Sequence, residues 1–291
     1  MDIPNARSLH TRPTPRVGGW AVTPVVVVLI LLIAQPLWPL AVLAALLGLL
    51  SQVDDRRGLS ARYRFAGHLF CAIALVAISP PPYGWWLAIP MVVVLVWISN
   101  LYNFMDGANG LAGGMAVIGF AAYALMAGAL HADLSLAAAV IASAAAGFLV
   151  FNFPNAKVFL GDAGSIPLGF LAGGMGYWGW CSQAWPYWFP AFVFSPFILD
   201  ASVTLLKRLV RREKFWEAHR QHYYQRMIGM QGAHTPVVLK WYAAMVCGIA
   251  LALASATLSG FWPLVVLAAW LMILALWGWT VDRRWHRKPA Y

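Results

Sequence analysis

Residues 17–53 read VGGWAVTPVVVVLILLIAQPLWPLAVLAALLGLLSQV, 37 residues between Arg16 and Asp54 without one Asp, Glu, Lys or Arg. A helix rises about 1.5 Å per residue and needs roughly 20 apolar residues to cross a hydrocarbon core of about 30 Å. The stretch is therefore one crossing and one return, with Gln35-Pro36 as the turn. The pattern recurs along the chain. Arg64 and Asp106 enclose 41 residues free of these four types, and Lys240 and Asp282 enclose another 41. Asp106 and Lys157 enclose 50 broken only by Asp133; Asp162 and Lys207 enclose 44 broken only by Asp200. Each gap is out and back, so every charged island faces the same side.

The expected fold is all-α. It is a polytopic integral membrane protein of about ten transmembrane helices, both termini cytoplasmic, in one integral domain over residues 1–291. Spans are placed at about 18–35, 37–53, 65–80, 84–99, 111–130, 134–152, 166–181, 185–206, 241–259 and 261–281. Of the 291 residues 62% are hydrophobic and 10% charged, against about 25% charged in a soluble domain. A buried soluble core would need helix after helix apolar all round. A net charge of +10 would suggest nucleic acid in a soluble chain. Here all twenty Lys and Arg fall on one face of a ten-span chain. The positive-inside rule makes that face cytoplasmic, so the expected partner is the lipid bilayer and not nucleic acid. Cys71, Cys181 and Cys247 follow neither a metal nor a disulfide spacing. No cleavable signal peptide is expected, because the first apolar run leads into another and not into a cleavage site. Gly169 and Gly173 have the spacing of a close helix contact.

Four islands carry motif-like polar clusters. Asp54-Asp55-Arg56-Arg57-Gly58 sets two carboxylates side by side at a membrane face, where a solvated loop with local Asp–Arg pairing is the plainer alternative. In Asn100–Gly110, Asn100, Asn103 and Asp106 recur every third residue, near one face of a helical end. Amides and a carboxylate there suit a nucleotide or a metal. In Asn152–Ser165, Gly161 and Gly164 flank Asp162. Such a turn lets backbone amides approach phosphate, and an apolar helix is expected to open at Ser165 with its positive end facing an anion. The long basic island Lys207–Lys240 holds His219 and His222 one helical turn apart. Phosphate contact by His and Arg is the favoured reading, with a lipid-binding surface helix as the alternative. His10, His68, His131, His234 and His286 are assigned no chemistry. Asp200 lies within an apolar stretch, where a carboxylate is costly and is either functional or paired with a neighbouring helix.

Asp54, Asp55, Asp106 and Asp162 would converge on one face. Two like charges at about 4 Å repel by about 4 kcal/mol at an effective dielectric near 20. A carboxylate cluster that also binds a phosphorylated substrate needs a cation. Oxygen-only ligands with few fixed contacts favour Mg²⁺, for which Mn²⁺ could substitute.

These islands resemble, in order, the motifs of the polyprenyl-phosphate N-acetylhexosamine-1-phosphate transferases, the bacterial glycosyltransferase family 4 that initiates O-antigen and teichoic-acid assembly. Pro4-Asn5-Ala6-Arg7-Ser8 with His10, then Pro13-Thr14-Pro15-Arg16 and Gly18-Gly19, is similar to the family's N-terminal signature. Asp54-Asp55-Arg56 is similar to its paired aspartates, and Asn103-Phe104-Met105-Asp106-Gly107 to its Asn–Asp-Gly motif. Ala156–Ser165 is similar to its metal-aspartate loop, and His219-Arg220-Gln221-His222 through Gln225-Arg226 to its histidine motif. There are three departures. Most members carry a transmembrane helix before the first signature, which is expected here to be absent or lost to a late start. Asn109 stands where many members have a second Asp, which bears on a nucleobase or ribose contact. Asn155 stands where many have Pro.

The resemblance implies transfer of N-acetylhexosamine-1-phosphate from a UDP-N-acetylhexosamine to undecaprenyl phosphate, with release of UMP and dependence on Mg²⁺. It places the reaction at the cytoplasmic face of the bacterial inner membrane, as the first membrane step of O-antigen (lipopolysaccharide) or other envelope-glycan synthesis. It also implies that Asp54, Asp55, Asp106, His219 and His222 are catalytic. Asn103, Asn109, Asn152, Lys157, Arg220 and Arg226 would bind substrate, and Asp162 would ligand the metal. Pairing into a homodimer, common among membrane enzymes, is compatible with the chain. The rival readings are a polytopic transporter, which would set its charges near the midplane, and a CDP-alcohol type phosphotransferase, which would gather its carboxylates in one compact motif.

Overall fold

The computed structural model describes residues 1–4, 9, 12–213 and 219–287. The signature residues Asn5, Ala6, Arg7, Ser8 and His10, the stretch 214–218 and the end 288–291 lie outside them. Among the described residues the chain is helical, without strands. The order is α1 (Gly18–Ile33), α2 (Trp38–Arg57), α3 (Ala61–Ile78), α4 (Ala88–Phe104), α5 (Leu111–Ala127) and α6 (Ala132–Asn152), then α7 (Asp162–Cys181), the short α8 (Phe189–Val193), α9 (Ser195–Val210), α10 (Tyr223–Gln231), α11 (Thr235–Ser255) and α12 (Trp262–His286).

Six helical stretches are long and apolar enough to cross a membrane: Gln35–Arg57, Ala61–Ile78, Trp85–Phe104, Ala129–Asn152, Thr235–Ser255 and Trp262–Trp285. The shorter α1 and α5 are apolar as well. Large apolar side chains such as Leu32, Ile89, Leu125 and Val150 are exposed on the outside. A soluble surface would not carry so many; a lipid-facing one does. The protein is a multi-pass membrane protein.

Each expected span coincides with helix, but four details differ. The span at 37–53 continues as helix to Arg57, so the paired aspartates lie on the last turn of α2 and not in a loop. It stops at Gly58, whose left-handed φ of +64° returns its N–H to Asp54 O. The helix expected from Ser165 already begins at Asp162, after Gly161 at φ +71°. The span at 185–206 is broken at Phe194 into α8 and α9. Pro190 and Pro196 sit in the first turns of the two pieces, where a residue without an N–H starts a helix readily but cannot continue one. Finally, His219 and His222 precede α10 and do not lie on a helix.

α7 forms the centre. It packs against α4, α2 and α1, and α5 packs against α6. Nearly every residue from Ala163 to Gly179 is buried. Gly169 and Gly173 provide the close contact with α4 that their spacing suggests. A Cβ on Gly169 would lie 2.6 Å from Tyr102 Cβ and 2.9 Å from Ser99 O.

Candidate active site

The site begins with two chain segments far apart in sequence. Phe159 N–H donates to Pro15 O (2.8 Å), Gly18 N–H to Phe159 O (2.9 Å) and Gly19 N–H to Leu160 O (2.8 Å). This parallel pairing lays the segment before α1 along the loop before α7. Gly19 then meets Gly164 backbone to backbone; a Cβ on Gly19 would stand 2.3 Å from Gly164 N. Thr23 Oγ1 donates to Ala163 O at 2.8 Å. Arg16 is thereby delivered to Asp162, with Nη2 2.9 Å from Oδ1. Asp162 is the first residue of α7, where the helix's positive end favours a carboxylate.

Arg16 is the common counter-ion of the cluster. Burial lowers its pKa, but the charges of Asp162, Asp55, Asp2 and Asp106 outweigh that and raise it. Asp55 interacts with Asp162, Arg16 and Asp54. Asp106 lies just beyond α4, and its carboxyl is pushed up to about 8. Burial is the main cause, and Asp162 adds to it; Arg16 and the Gly161 N–H oppose it. Asp54 is held at the α2–α3 corner, accepting Leu59 N–H at 2.7 Å and pairing with Arg64 Nη1 at 3.2 Å.

The asparagines tie the islands together. Asn103 Oδ1 accepts Ser165 Oγ–H at 2.7 Å, joining the end of α4 to the start of α7. Asn152, expected to touch substrate, is buried. Its Oδ1 accepts Gly110 N–H (2.7 Å) and its Nδ2 donates to Val158 O (2.8 Å), so both ends of the amide are committed to backbone. Asn109 Nδ2 donates to Pro154 O (3.1 Å), and its backbone N–H donates to His234 Nδ1 (3.1 Å). His234, assigned no chemistry from sequence, also reaches Leu9 O through Nε2 at 3.2 Å.

The histidine motif closes the site from α9 and α10. His222 caps α10 and is 2% exposed, with Nδ1 3.2 Å from Asp200 Oδ1. The His219 ring centroid lies 4.9 Å from that of His222. Burial, with the charges of His222 and Arg208, lowers the His219 pKa to about 4. His219 is therefore neutral at pH 7 in the unliganded protein and offers a phosphate a hydrogen bond. Tyr224 OH donates to Phe104 O at 3.0 Å, which docks α10 on the turn bearing Asp106. Arg226 corrects another expectation. It is buried and pairs with Asp282 on α12 at 2.7 Å, so its guanidinium is spent on an interior carboxylate. Lys207 binds the same carboxylate. Lys157 and Arg220 are exposed beside this face.

The structure thus brings Asp55, Asp106 and Asp162 around Arg16, with Asp54 adjoining through Asp55, and sets the histidine motif beside Phe104. Sequence reasoning missed Arg16 as the counter-ion, Asp200 as the partner of His222, and Asp282 as the partner of Lys207 and Arg226. Each is a long-range pair that no local pattern announces. Among the described residues, no three His, Cys, Asp or Glu side chains form a ready metal cage. Mg²⁺ does not require one, since it binds through one or two carboxylates, waters and substrate phosphates. The oxygen-only donor set of Asp162 and its neighbours fits that mode.

The model for glycosyl transferase family 4 matches residues 37–179. The probable undecaprenyl-phosphate N-acetylglucosaminyl 1-phosphate transferase of Bacillus subtilis is 31% identical over 264 residues, covering 83% of this chain and 73% of the relative. The decaprenyl-phosphate N-acetylglucosaminephosphotransferase of Mycolicibacterium smegmatis is 28% identical over 292 residues, covering 82% and 71%. A phospho-N-acetylmuramoyl-pentapeptide-transferase of Halalkalibacterium halodurans is 42% identical over 88 residues, covering 30% and 27%. The chain belongs to glycosyl transferase family 4 and is a phosphoglycosyltransferase.

Proposed function

We propose that the enzyme transfers N-acetylhexosamine-1-phosphate from a UDP-N-acetylhexosamine to undecaprenyl phosphate, in the presence of Mg²⁺, as the first membrane step of O-antigen or related envelope-glycan synthesis. The reaction would take place at the cytoplasmic face of the inner membrane, on a scaffold of ten crossings. One observation carries this reading. Asp162 at the start of α7 pairs with Arg16 from before α1, and Asp55 at the end of α2 and Asp106 just beyond α4 lie within electrostatic reach of the same arginine. The names of the relatives supply the lipid phosphate and an N-acetylated sugar as the substrate class.

In the proposed step an oxygen of the lipid phosphate attacks the phosphorus that bears the sugar. A new phosphoanhydride forms, the old one breaks, and UMP leaves. A phosphate monoester has its second pKa near 6, so the attacking group is already mostly dianionic and a general base has little to do. Positioning and charge neutralisation carry the rate. Asp162, with Asp55 and Asp106 near it, would hold Mg²⁺, which when bound neutralises the diphosphate oxygens. Asp54 and Asp55 would orient the acceptor. Asn103 and Asn109, on the Asp106 turn, would shape the nucleotide side, with Asn152 bracing that turn from beneath. Arg16, Lys157, Arg220 and the hydrogen bonds of His219 and His222 would meet phosphate oxygens. Arg226 would act indirectly, by fixing α10 to α12.

The test supplies radiolabelled UDP-N-acetylglucosamine or another UDP-N-acetylhexosamine and undecaprenyl phosphate, with Mg²⁺ or with EDTA. Label in the organic phase only with Mg²⁺ supports the reading. No transfer with any of these donors, or full transfer in EDTA, overturns it.

A further inference from the structure

Asp200 is a carboxylate that the proposed step does not use. It lies inside α9 and is 1% exposed, a costly place for a carboxylate unless its oxygens are satisfied. Oδ1 accepts Tyr223 N–H at 2.8 Å and Thr204 Oγ1–H at 3.3 Å, and faces His222 Nδ1 at 3.2 Å. Oδ2 accepts Tyr224 N–H at 3.1 Å. One side chain thus holds three consecutive residues, 222–224, and all its partners are donors. A carboxylate can only accept, so its pairing with His222 is made when the imidazole carries a proton on Nδ1, while the backbone N–H of His222 is held by Gln225 Oε1 at 3.2 Å.

The rest of the imidazole is fixed from its faces. Phe104 stacks on it with centroids 6.1 Å apart and planes at 26°, and Tyr224 with centroids 5.9 Å apart and planes at 21°. Phe104 and Tyr224 are themselves joined by the hydrogen bond from Tyr224 OH to Phe104 O. With Nδ1 facing Asp200 and the rings of Phe104, Tyr224 and His219 packed around the imidazole, Nε2 is the nitrogen left for a substrate.

We propose that Asp200 is a positioning residue for the transfer reaction: it fixes the tautomer and the angle of His222, so that Nε2 meets a phosphate oxygen beside the Asp106 turn. This inference rests on reading His222 as a phosphate-contacting group. A carboxylate that only capped α10 would need the Tyr223 and Tyr224 amides alone. The additional bond to the histidine ring, in the plane left open by two stacked neighbours, gives it the second role.

A double-mutant cycle on the purified full-length enzyme tests it, with D200N, H222Q and D200N/H222Q compared for kcat and for KM of both substrates. D200N is expected to lower kcat by roughly 10²-fold, the cost of misplacing a catalytic contact by about 1 Å, and to change each KM by less than about threefold. H222Q is expected to lose at least as much, and the double variant no more than H222Q alone, because Asp200 acts through His222. Losses that multiply would show a separate structural effect and overturn the inference while leaving the His222 reading intact. Wild-type kcat in H222Q would overturn both. If D200N does not fold, the same cycle with D200E, which keeps the charge but displaces it by one methylene, is read by the same outcomes.

Discussion

Among the described residues, Arg16 is the cation that acts on Asp162, Asp55 and Asp106 together. Its removal leaves their mutual repulsion without that counter-charge. We expect R16A to lower kcat by roughly 10²-fold, the typical effect of removing one preorganised charge from a reacting phosphate or oxyanion. R16K should recover part of that, because a point charge lacks the guanidinium fork. The thermal midpoint should barely move, because Arg16 is 41% exposed and half-exposed ion pairs contribute little to stability. A steady-state assay alongside thermal unfolding in detergent separates the two. Asp106 gives a pH prediction. Its carboxyl titrates near 8 in the folded protein against 3.8 for the ordinary group. The folded state therefore binds the extra proton between these values, and stability falls as pH rises through that window. D106N should flatten the fall, raising the melting temperature relative to wild type at pH 8 more than at pH 5 in metal-free buffer. Equal shifts at both pH values would contradict it.

The sequence reading at this scale was uneven for a physical reason. Asp55, Asp106 and Asp162 stood out because carboxylates are rare in so apolar a chain. Arg16 stood within a quoted motif, but its partner lies 146 residues away, and no periodicity reports a contact of that range. Asn152 is assigned to substrate by the resemblance alone; its amide is spent on two backbone groups that only the fold brings near.

Among the elements, the crossing of α1 and α7 sets the geometry of the cluster. Gly19 allows the backbones to touch, and a side chain there has no flexible neighbour to displace, since the nearest atoms are Gly164 N and the Ala163 carbonyl carbon. We expect G19V to push the helices apart, costing about 2 kcal/mol or more in stability, as overpacking of a tight contact does. Activity should fall further than stability, because Arg16 and Asp162 ride on the two separated elements. Near-wild-type kcat in a folded G19V enzyme would show that the approach is not needed for catalysis. The helices themselves were legible, since a gap of about forty uncharged residues has few other readings. Their ends were less so. In so apolar a chain a charge reads as the mark of a loop, yet Asp54 to Arg57 and Asp162 belong to helices, because helical ends at a water interface tolerate ions. The break at Phe194 was missed because Pro196 can start a helix as readily as it can interrupt one.

At the scale of the whole molecule, the paired helix ends make two demands. First, exchanging one phosphoanhydride for another leaves the equilibrium constant near unity, so added UMP should drive the lipid-linked product backwards. An irreversible course would contradict the proposed bond exchange. Second, the islands must share a compartment. Single cysteines at Arg57 and Lys157, in a chain whose Cys71, Cys181 and Cys247 are replaced, should both be labelled by a membrane-impermeant thiol reagent added to inverted vesicles, and neither by the same reagent added to right-side-out vesicles. Labelling from opposite sides would break the arrangement.

The parallel pairing of residues 15–19 with 159–160 also bears on biogenesis. Arg16 leaves the ribosome 146 residues ahead of Asp162. At about 5–20 residues per second, the leading strand waits roughly 7 to 30 s, unpaired, while six helices are inserted behind it. Its latching onto the newly emerged loop marks the moment when a string of threaded hairpins becomes an enzyme. Nascent chains halted before that loop should therefore leave their leading residues open to protease.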